Sequence, residues 1–371
     1  MRNAPAFADV PPRADALDPG LEAAIFTRAT AVDEAAAFPR DDIAALAMAG
    51  LLMAPLPIAA GGGGVGMTRP VAELRSLLSA IGRASLTVGR LFEGHVNAAK
   101  LVARYGGPSA VIAAEAAAGR ISGVWNAERG PGLRAAKVDG GWRLDGRKIH
   151  CSGAGSIRRA LVTARDDDDA VRLFLPDLTG PGVGIDLGVW RAAGMRGTAT
   201  GTVDFARVFV PDAATVGGPG DYYRSPLFSG GAWRVLAVQL GGLERVMHLH
   251  AARLTASGRG GDQVFRARFA RAAGSAEAAR LLVAEVAERA EAGGDPAAID
   301  AYVDLARATF EDLALGCIDA VRRNVGLSTF IAPDPLDRVL RDLETYLRQP
   351  FVDASRDHAA AWLLEHEGRL G

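Results

Sequence analysis

The sequence predicts an α+β protein in three parts. An N-terminal helical domain covers residues 1–120, a middle β-barrel or β-sandwich domain covers 121–225, and a C-terminal helical bundle covers 226–371. Three observations predict this order. Apolar residues recur at helical spacing before residue 120 and after residue 231. Between them, short runs of strand-forming residues alternate with Gly, Pro and Asp turn signals. No alternating strand–helix units occur, and no Gly-x-Gly-x-x-Gly follows a strand, which argues against a doubly wound nucleotide-binding sheet.

In the first part, residues 21–38 read as an Ala-rich helix. Pro39 punctuates it, and Asp41 or Asp42 is placed to cap the next short helix. The run Gly61-Gly62-Gly63-Gly64 excludes a helix interior and marks a loop. Helix returns over 71–81, where Leu74, Leu77, Leu78 and Ile81 form one apolar stripe, and continues over 86–105 and 109–119. The middle part reads as strands over 133–138, 142–151, 160–164, 170–175, 183–189 and 202–210. The run Asp166 to Asp169 reads as a solvated turn. In the last part, Leu236, Leu240, Leu243 and Met247 define a long helix. Its Gly241-Gly242 pair permits close approach of another backbone. Further helices follow over 275–292, 300–325, 336–348 and 354–367.

Composition narrows the function classes. There are 42 basic and 43 acidic residues, a net charge of −1, which excludes a global nucleic-acid footprint. No run of 18 apolar residues suggests a membrane span, and no secretory signal opens the chain. Cys151 and Cys317 form no metal or disulfide spacing, so reduced thiols and a cytoplasmic location are expected.

Three segments carry a family resemblance. The first is Trp142-Arg143-Leu144-Asp145-Gly146-Arg147-Lys148-Ile149-His150-Cys151-Ser152. The second is Pro181-Gly182-Val183 followed by Gly194-Met195-Arg196-Gly197-Thr198. The third is Val203-Asp204-Phe205 leading to Val208-Phe209-Val210-Pro211. In this order and spacing the chain resembles the FAD-dependent acyl-CoA dehydrogenase family. The resemblance implies FAD and a flavin-dependent oxidoreductase acting on an acyl thioester, such as an acyl-CoA, or a related activated carbonyl, with hydride passing to flavin N5. Two alternatives stand beside it: a flavin-dependent monooxygenase or tailoring oxidase on the same fold, and a non-catalytic partner subunit of a flavoprotein complex. A homodimer or homotetramer, with an electron-transfer partner, is the implied assembly.

The resemblance also implies site residues. Ser152 falls where a hydroxyl faces flavin N5, and His150 where an aromatic packs on the ring. Each also reads as an ordinary strand residue. Trp125 and Asn126 stand near the usual Thr-Glu pair, and Trp125 reads equally as core. Arg259 and Arg266 are candidates for a cofactor phosphate, and Arg196, Trp233 and Gln349 for the substrate side. The chain departs from the family at the catalytic carboxylate. One usual position falls on Gln349-Pro350 and the other on Trp233, leaving Asp353 as the nearest replacement base. His248 and His250 point to different helix faces and read as structural.

Overall fold

The computed structural model describes residues 17–348 and 352–369. Five helices come first: α1 (Pro19–Ala35), α2 (Arg40–Met48), α3 (Val71–Ala84), α4 (Leu86–Tyr105) and α5 (Ser109–Ala117). Eight strands follow: β1 (Ser122–Trp125), β2 (Leu133–Val138), β3 (Gly141–Cys151), β4 (Arg159–Arg165), β5 (Val171–Phe174), β6 (Val183–Asp186), β7 (Gly201–Pro211) and β8 (Thr215–Val216). The chain returns to helix with α6 (Leu227–Gly230), α7 (Ala232–Ala256), α8 (Gln263–Ala292), α9 (Pro296–Val325), α10 (Pro335–Leu347) and α11 (Val352–Glu365).

The strands pair in the order β6-β7-β3-β2-β4-β5-β8, and β1 adds to β4 in parallel. Strands β3 and β7 form the long antiparallel centre. Their register slips between Lys148 and Cys151, where β3 carries an extra residue. A β-bulge of this kind re-aims side chains. Here it turns His150 outward at φ 53° and leaves Cys151 buried. Burial pushes the Cys151 thiol up to about 12, so it is an inert core group.

Helix α7 runs through the molecule and packs against α3, α4, α8, α9 and α10. Its crossing with α3 depends on glycine. A Cβ on Gly241 would stand 1.9 Å from the Ser79 carbonyl, and one on Gly82 would stand 2.2 Å from the Val238 carbonyl. The close approach expected at Gly241-Gly242 is therefore present.

Three local expectations are corrected. Asp41 and Asp42 do not cap α2, because its N-cap is Pro39; Asp42 is instead buried and bonded to Arg28 Nε at 2.6 Å. The Asp166–Asp169 run is a turn with Asp167, Asp168 and Asp169 exposed as expected, but Asp166 is buried and closes it by accepting from Asp168 N, Ala170 N and Arg172. Helix α8 begins twelve residues earlier than its apolar pattern suggested, with Asp262 accepting from Val264 N as its cap. Among the described residues, no helix is long and apolar enough to cross a membrane.

Candidate functional site

The ends of β1 and β3 meet under α4. Buried His95 on α4 fixes this arrangement. Its Nε2 donates to the Leu52 carbonyl at 2.8 Å, and its Nδ1 accepts from Ser122 N at 3.1 Å. Those partners require one neutral tautomer, and burial lowers the imidazole pKa accordingly. A narrow cavity of about 10 Å3 remains between helix and strands. Arg90, Gly94, Gly123, Trp125 and Ser152 are among its lining residues.

Trp125 and Ser152 are in direct contact. The indole Nε1 donates to the Ser152 carbonyl at 3.1 Å, and the indole is buried. The Ser152 hydroxyl is half-buried. Its contact with Thr200 Oγ1 is long, 3.4 Å; because Thr198 donates to Met195 and Thr200 to Thr198, the proton in that contact is Ser152's own, and it is weakly held. Thr200 exchanges a 2.8 Å bond with Thr198, whose hydroxyl donates to the Met195 carbonyl. Met195 N in turn donates to Asp342 on α10 at 2.5 Å. The loop that supports Ser152 is thus held by the C-terminal helices. Met195 at φ 56° and Ala199 at φ 46° join His150 in left-handed backbone that non-glycine residues seldom adopt. Such strained residues persist where surrounding contacts over-determine them, and they cluster at functional sites.

Asn126 is held by a second set of contacts. Its Oδ1 accepts from Thr163 at 2.9 Å and from Tyr223 at 2.8 Å. Its carbonyl accepts from the fully buried Lys148 Nζ, which also reaches Thr163 and Glu128 at 2.8 Å each. Burial lowers the Lys148 pKa while Glu128 opposes the shift. Glu128 also accepts from Leu133 N, so the loop between β1 and β2 is fastened at both ends. Of the predicted residues at these strand ends, Trp125 and Ser152 are in contact and Asn126 follows Trp125 at the end of β1, whereas His150 turns outward with its ring beside Trp190.

The remaining predicted residues are dispersed. Arg196 is half-buried in a short 3-10 turn packed on α1 and α4. Trp233 is fully buried, and its Nε1 donates to Glu291 at 3.0 Å, so the indole is walled into the helical bundle. Arg259 donates to the Asn324 carbonyl and sits over the Phe265 ring. Arg266 is exposed at the start of α8. Both lie beyond the far end of α7, a 25-residue helix about 37 Å long, so one chain does not bring them to Ser152. Asp353 stands exposed in the first turn of α11, which packs on α9, and its carboxylate makes no contact with the other candidates. Gln349 lies outside the described residues.

The sequence reading missed the polar face of α4. Arg90, Glu93, Asn97 and Lys100 recur at helical spacing, a pattern that ordinarily faces water. Here the stripe faces inward. Glu93 is buried and bonded to both Arg90 and Asn97. Asn97 accepts from Arg234 Nε at 2.5 Å; Arg234 and Lys100 both reach Glu291, at 3.2 and 3.0 Å. The signal that distinguishes this stripe is its number of complementary charges, which is visible only once α7 and α8 are placed against it.

The donors at the strand ends suit a flavin, whose ring edge is rich in acceptors. The Ser152 hydroxyl is held by the long contact with Thr200 and can turn to such an acceptor. Asn126 uses its amide oxygen internally and leaves its NH2 group without an acceptor among the described residues. Trp125 does not contribute, because its N–H is committed to Ser152.

Comparisons with known proteins agree with this architecture. Residues 241–352 match the family model described as "Acyl-CoA dehydrogenase, C-terminal domain". Acyl-CoA dehydrogenase FadE34 of Mycobacterium tuberculosis is 35% identical over 97 residues, 24% of this chain; the match spans 13% of that protein's length. The structure of FMN-bound TdsC from Paenibacillus sp. A11-2 superposes with a TM-score of 0.83 at 20% identity, covering 94% of this chain and 96% of that one. TdsC is described as a dibenzothiophene monooxygenase. A nitrososynthase from Micromonospora carbonacea var. africana gives a TM-score of 0.79 at 23% identity, covering 92% and 94% of the two chains. The protein therefore has the acyl-CoA dehydrogenase-like fold, and the resemblance to that family read from the sequence holds.

Proposed function

We propose that this chain is a flavin-dependent oxidoreductase acting on an acyl thioester or a related activated carbonyl. The observation that supports the reading is the meeting of Ser152 and Asn126 at two adjoining strand ends, with the Ser152 hydroxyl loosely held, the Asn126 amide N–H unspent, and strained backbone at His150, Met195 and Ala199 around them. A bound flavin would supply an acceptor for the hydride lost by the substrate. Ser152 would donate its hydroxyl proton to the ring edge, and Asn126 its amide N–H. Lys148 holds Asn126 in place, and the Thr198–Thr200 pair holds Ser152. FAD is the cofactor implied by the family resemblance, while the TdsC structure contains FMN.

A second reading is a monooxygenase on the same fold. It is favoured by the absence of a carboxylate at the Trp233 position, where a buried indole is bonded to Glu291 instead. A reaction without α-proton abstraction has no need of a base there.

Anaerobic reduction separates the readings. The flavin-loaded protein is mixed with a panel of short acyl-CoA thioesters without oxygen, and bleaching of the visible flavin band is followed. Bleaching supports the dehydrogenase-like reading. No bleaching by any thioester, together with oxygen-dependent product formation after reduction by an external donor, supports the monooxygenase.

A further inference from the structure

Helix α10 grips the loop before β7 residue by residue. Arg341 Nη1 donates to the Ala193 carbonyl at 2.6 Å, Gly194 N donates to Thr345 Oγ1 at 3.1 Å, and Met195 N donates to Asp342 Oδ1 at 2.5 Å. Gly194 lies directly against the helix: a Cβ there would stand 2.0 Å from the Arg341 carbonyl. The helical side of this clasp is itself braced. Arg341 is bonded to Asp33 and Asp337, and the second oxygen of Asp342 lies 3.8 Å from Arg338. Asp342 is 3% exposed, so solvent is not at hand to replace it as the acceptor for Met195 N.

Met195 needs such a clasp. Its φ of 56° is left-handed backbone, which a non-glycine residue keeps only where its surroundings over-determine it. Its carbonyl accepts from Trp190 Nε1 at 3.0 Å and from the Thr198 hydroxyl at 2.8 Å, both within the same loop. Its N–H is the group fixed from outside, by Asp342. From here the restraint passes to Ser152 by two routes. The Thr198 carbonyl accepts from Gly153 N, the residue after Ser152, at 2.8 Å. The Thr198 hydroxyl continues through Thr200 to the Ser152 hydroxyl.

We propose that Asp342 and Thr345 are positioning residues for Ser152: acting through Met195 and Thr198, they hold its hydroxyl where a flavin ring would meet it. The helical bundle thereby sets the geometry of a site built on the sheet. Without the Asp342 acceptor, Met195 relaxes towards right-handed backbone, its carbonyl swings away from Thr198, and both routes slacken. The inference rests on the reading of Ser152 as a flavin contact.

The test combines amide hydrogen exchange with flavin titration on the unmodified protein, Asp342→Ala, Asp342→Asn, Ser152→Ala and the Asp342→Ala/Ser152→Ala double variant. Asp342→Ala should speed exchange about tenfold in peptides covering 193–200 and 151–156, the effect of a lost buried hydrogen bond. It should also weaken flavin binding about 3–10-fold and change the visible spectrum of the bound flavin. Asp342→Asn keeps an oxygen acceptor for Met195 N and should restore both readouts. The double variant should bind flavin no more weakly than Ser152→Ala alone, because the two act through one hydroxyl. A general loss of stability would add to the Ser152→Ala loss instead. Unchanged exchange over 151–156, additive losses in the double variant, or no rescue by Asp342→Asn would overturn the proposal. If Asp342→Ala does not fold, Thr345→Val, which removes only the acceptor of Gly194 N, takes its place in the same comparison. Exchange needs no flavin: a protein that binds neither FMN nor FAD loses the flavin reading, while the 151–156 peptide still decides whether the clasp holds Ser152.

Discussion

The indole N–H of Trp125 donates to the backbone carbonyl of Ser152 at 3.1 Å, so one buried side chain ties the end of β1 to the end of β3. Trp125 therefore sets the position of the Ser152 hydroxyl without spending a donor on a ligand. Trp125→Phe keeps most of the buried area but leaves the carbonyl without its partner. It is expected to cost about 1–3 kcal/mol in urea unfolding and to change the visible spectrum of bound flavin. An unchanged unfolding midpoint and spectrum would show that the bond positions nothing.

Lys148 is a fully buried ammonium with three acceptors: the Asn126 carbonyl, Thr163 and Glu128. Lys148→Met preserves length and removes all three bonds. Glu128 is partly exposed and regains water, so the loss is expected to fall at about 2–4 kcal/mol rather than higher. Flavin affinity should fall with it, because the loop that presents Asn126 is released. Equilibrium unfolding and a flavin titration on the same sample check both parts.

Acid stability should carry two opposing contributions. Burial raises Asp342 from 3.8 to about 6, so the folded state binds its proton more readily than the unfolded chain does. Between about pH 6 and pH 4, protonation of Asp342 therefore adds stability as pH falls. Burial lowers His250 from 6.5 to about 4, and its Nε2 accepts from Asn324 Nδ2 at 3.1 Å. That contribution is present above pH 6.5 and is lost as pH falls towards 4. Asp342→Asn should make the loss of stability on acidification steeper than in the unmodified protein, and His250→Leu should make it shallower. Urea midpoints measured across pH 4 to 7 for the three proteins test the signs. The same slope in all three would contradict both assignments.

Gly241 offers a packing test. The Cβ of Gly241→Ala would be placed 1.9 Å from the Ser79 carbonyl, forcing α3 and α7 apart. A loss of about 3 kcal/mol is expected, whereas the gain in helix propensity alone predicts a more stable protein. The sign of the change in melting temperature distinguishes the two.

Helix α4 matches its sequence bounds, 86–105, to the residue, and Ser85 caps it. The close approach at Gly241 was legible because only a packing need explains two glycines inside a long helix. The outward turn of His150 was not. It arises from a bulge in the β3–β7 register, which depends on the partner strand. The polar face of α4 was misleading for a related reason. Charges at helical spacing signal solvent until a partner helix supplies their complements, and Arg234 and Glu291 lie well over a hundred residues downstream. Nor was the contact of Asp342 with Met195 N legible; it links α10 to the Ser152 loop across 147 residues of sequence.

The most direct test of the central claim is a flavin titration of the unmodified protein, Ser152→Ala and Ser257→Ala, read by visible absorbance with FMN and with FAD. Ser257 is a useful control because its hydroxyl bonds only the local Leu254 carbonyl at the end of α7. The unmodified protein and Ser257→Ala should bind one of the two flavins saturably and alike. Ser152→Ala should bind it about 5–10-fold more weakly, the effect of one lost hydrogen bond. A protein that binds neither flavin, or two serine variants that behave identically, would contradict the account.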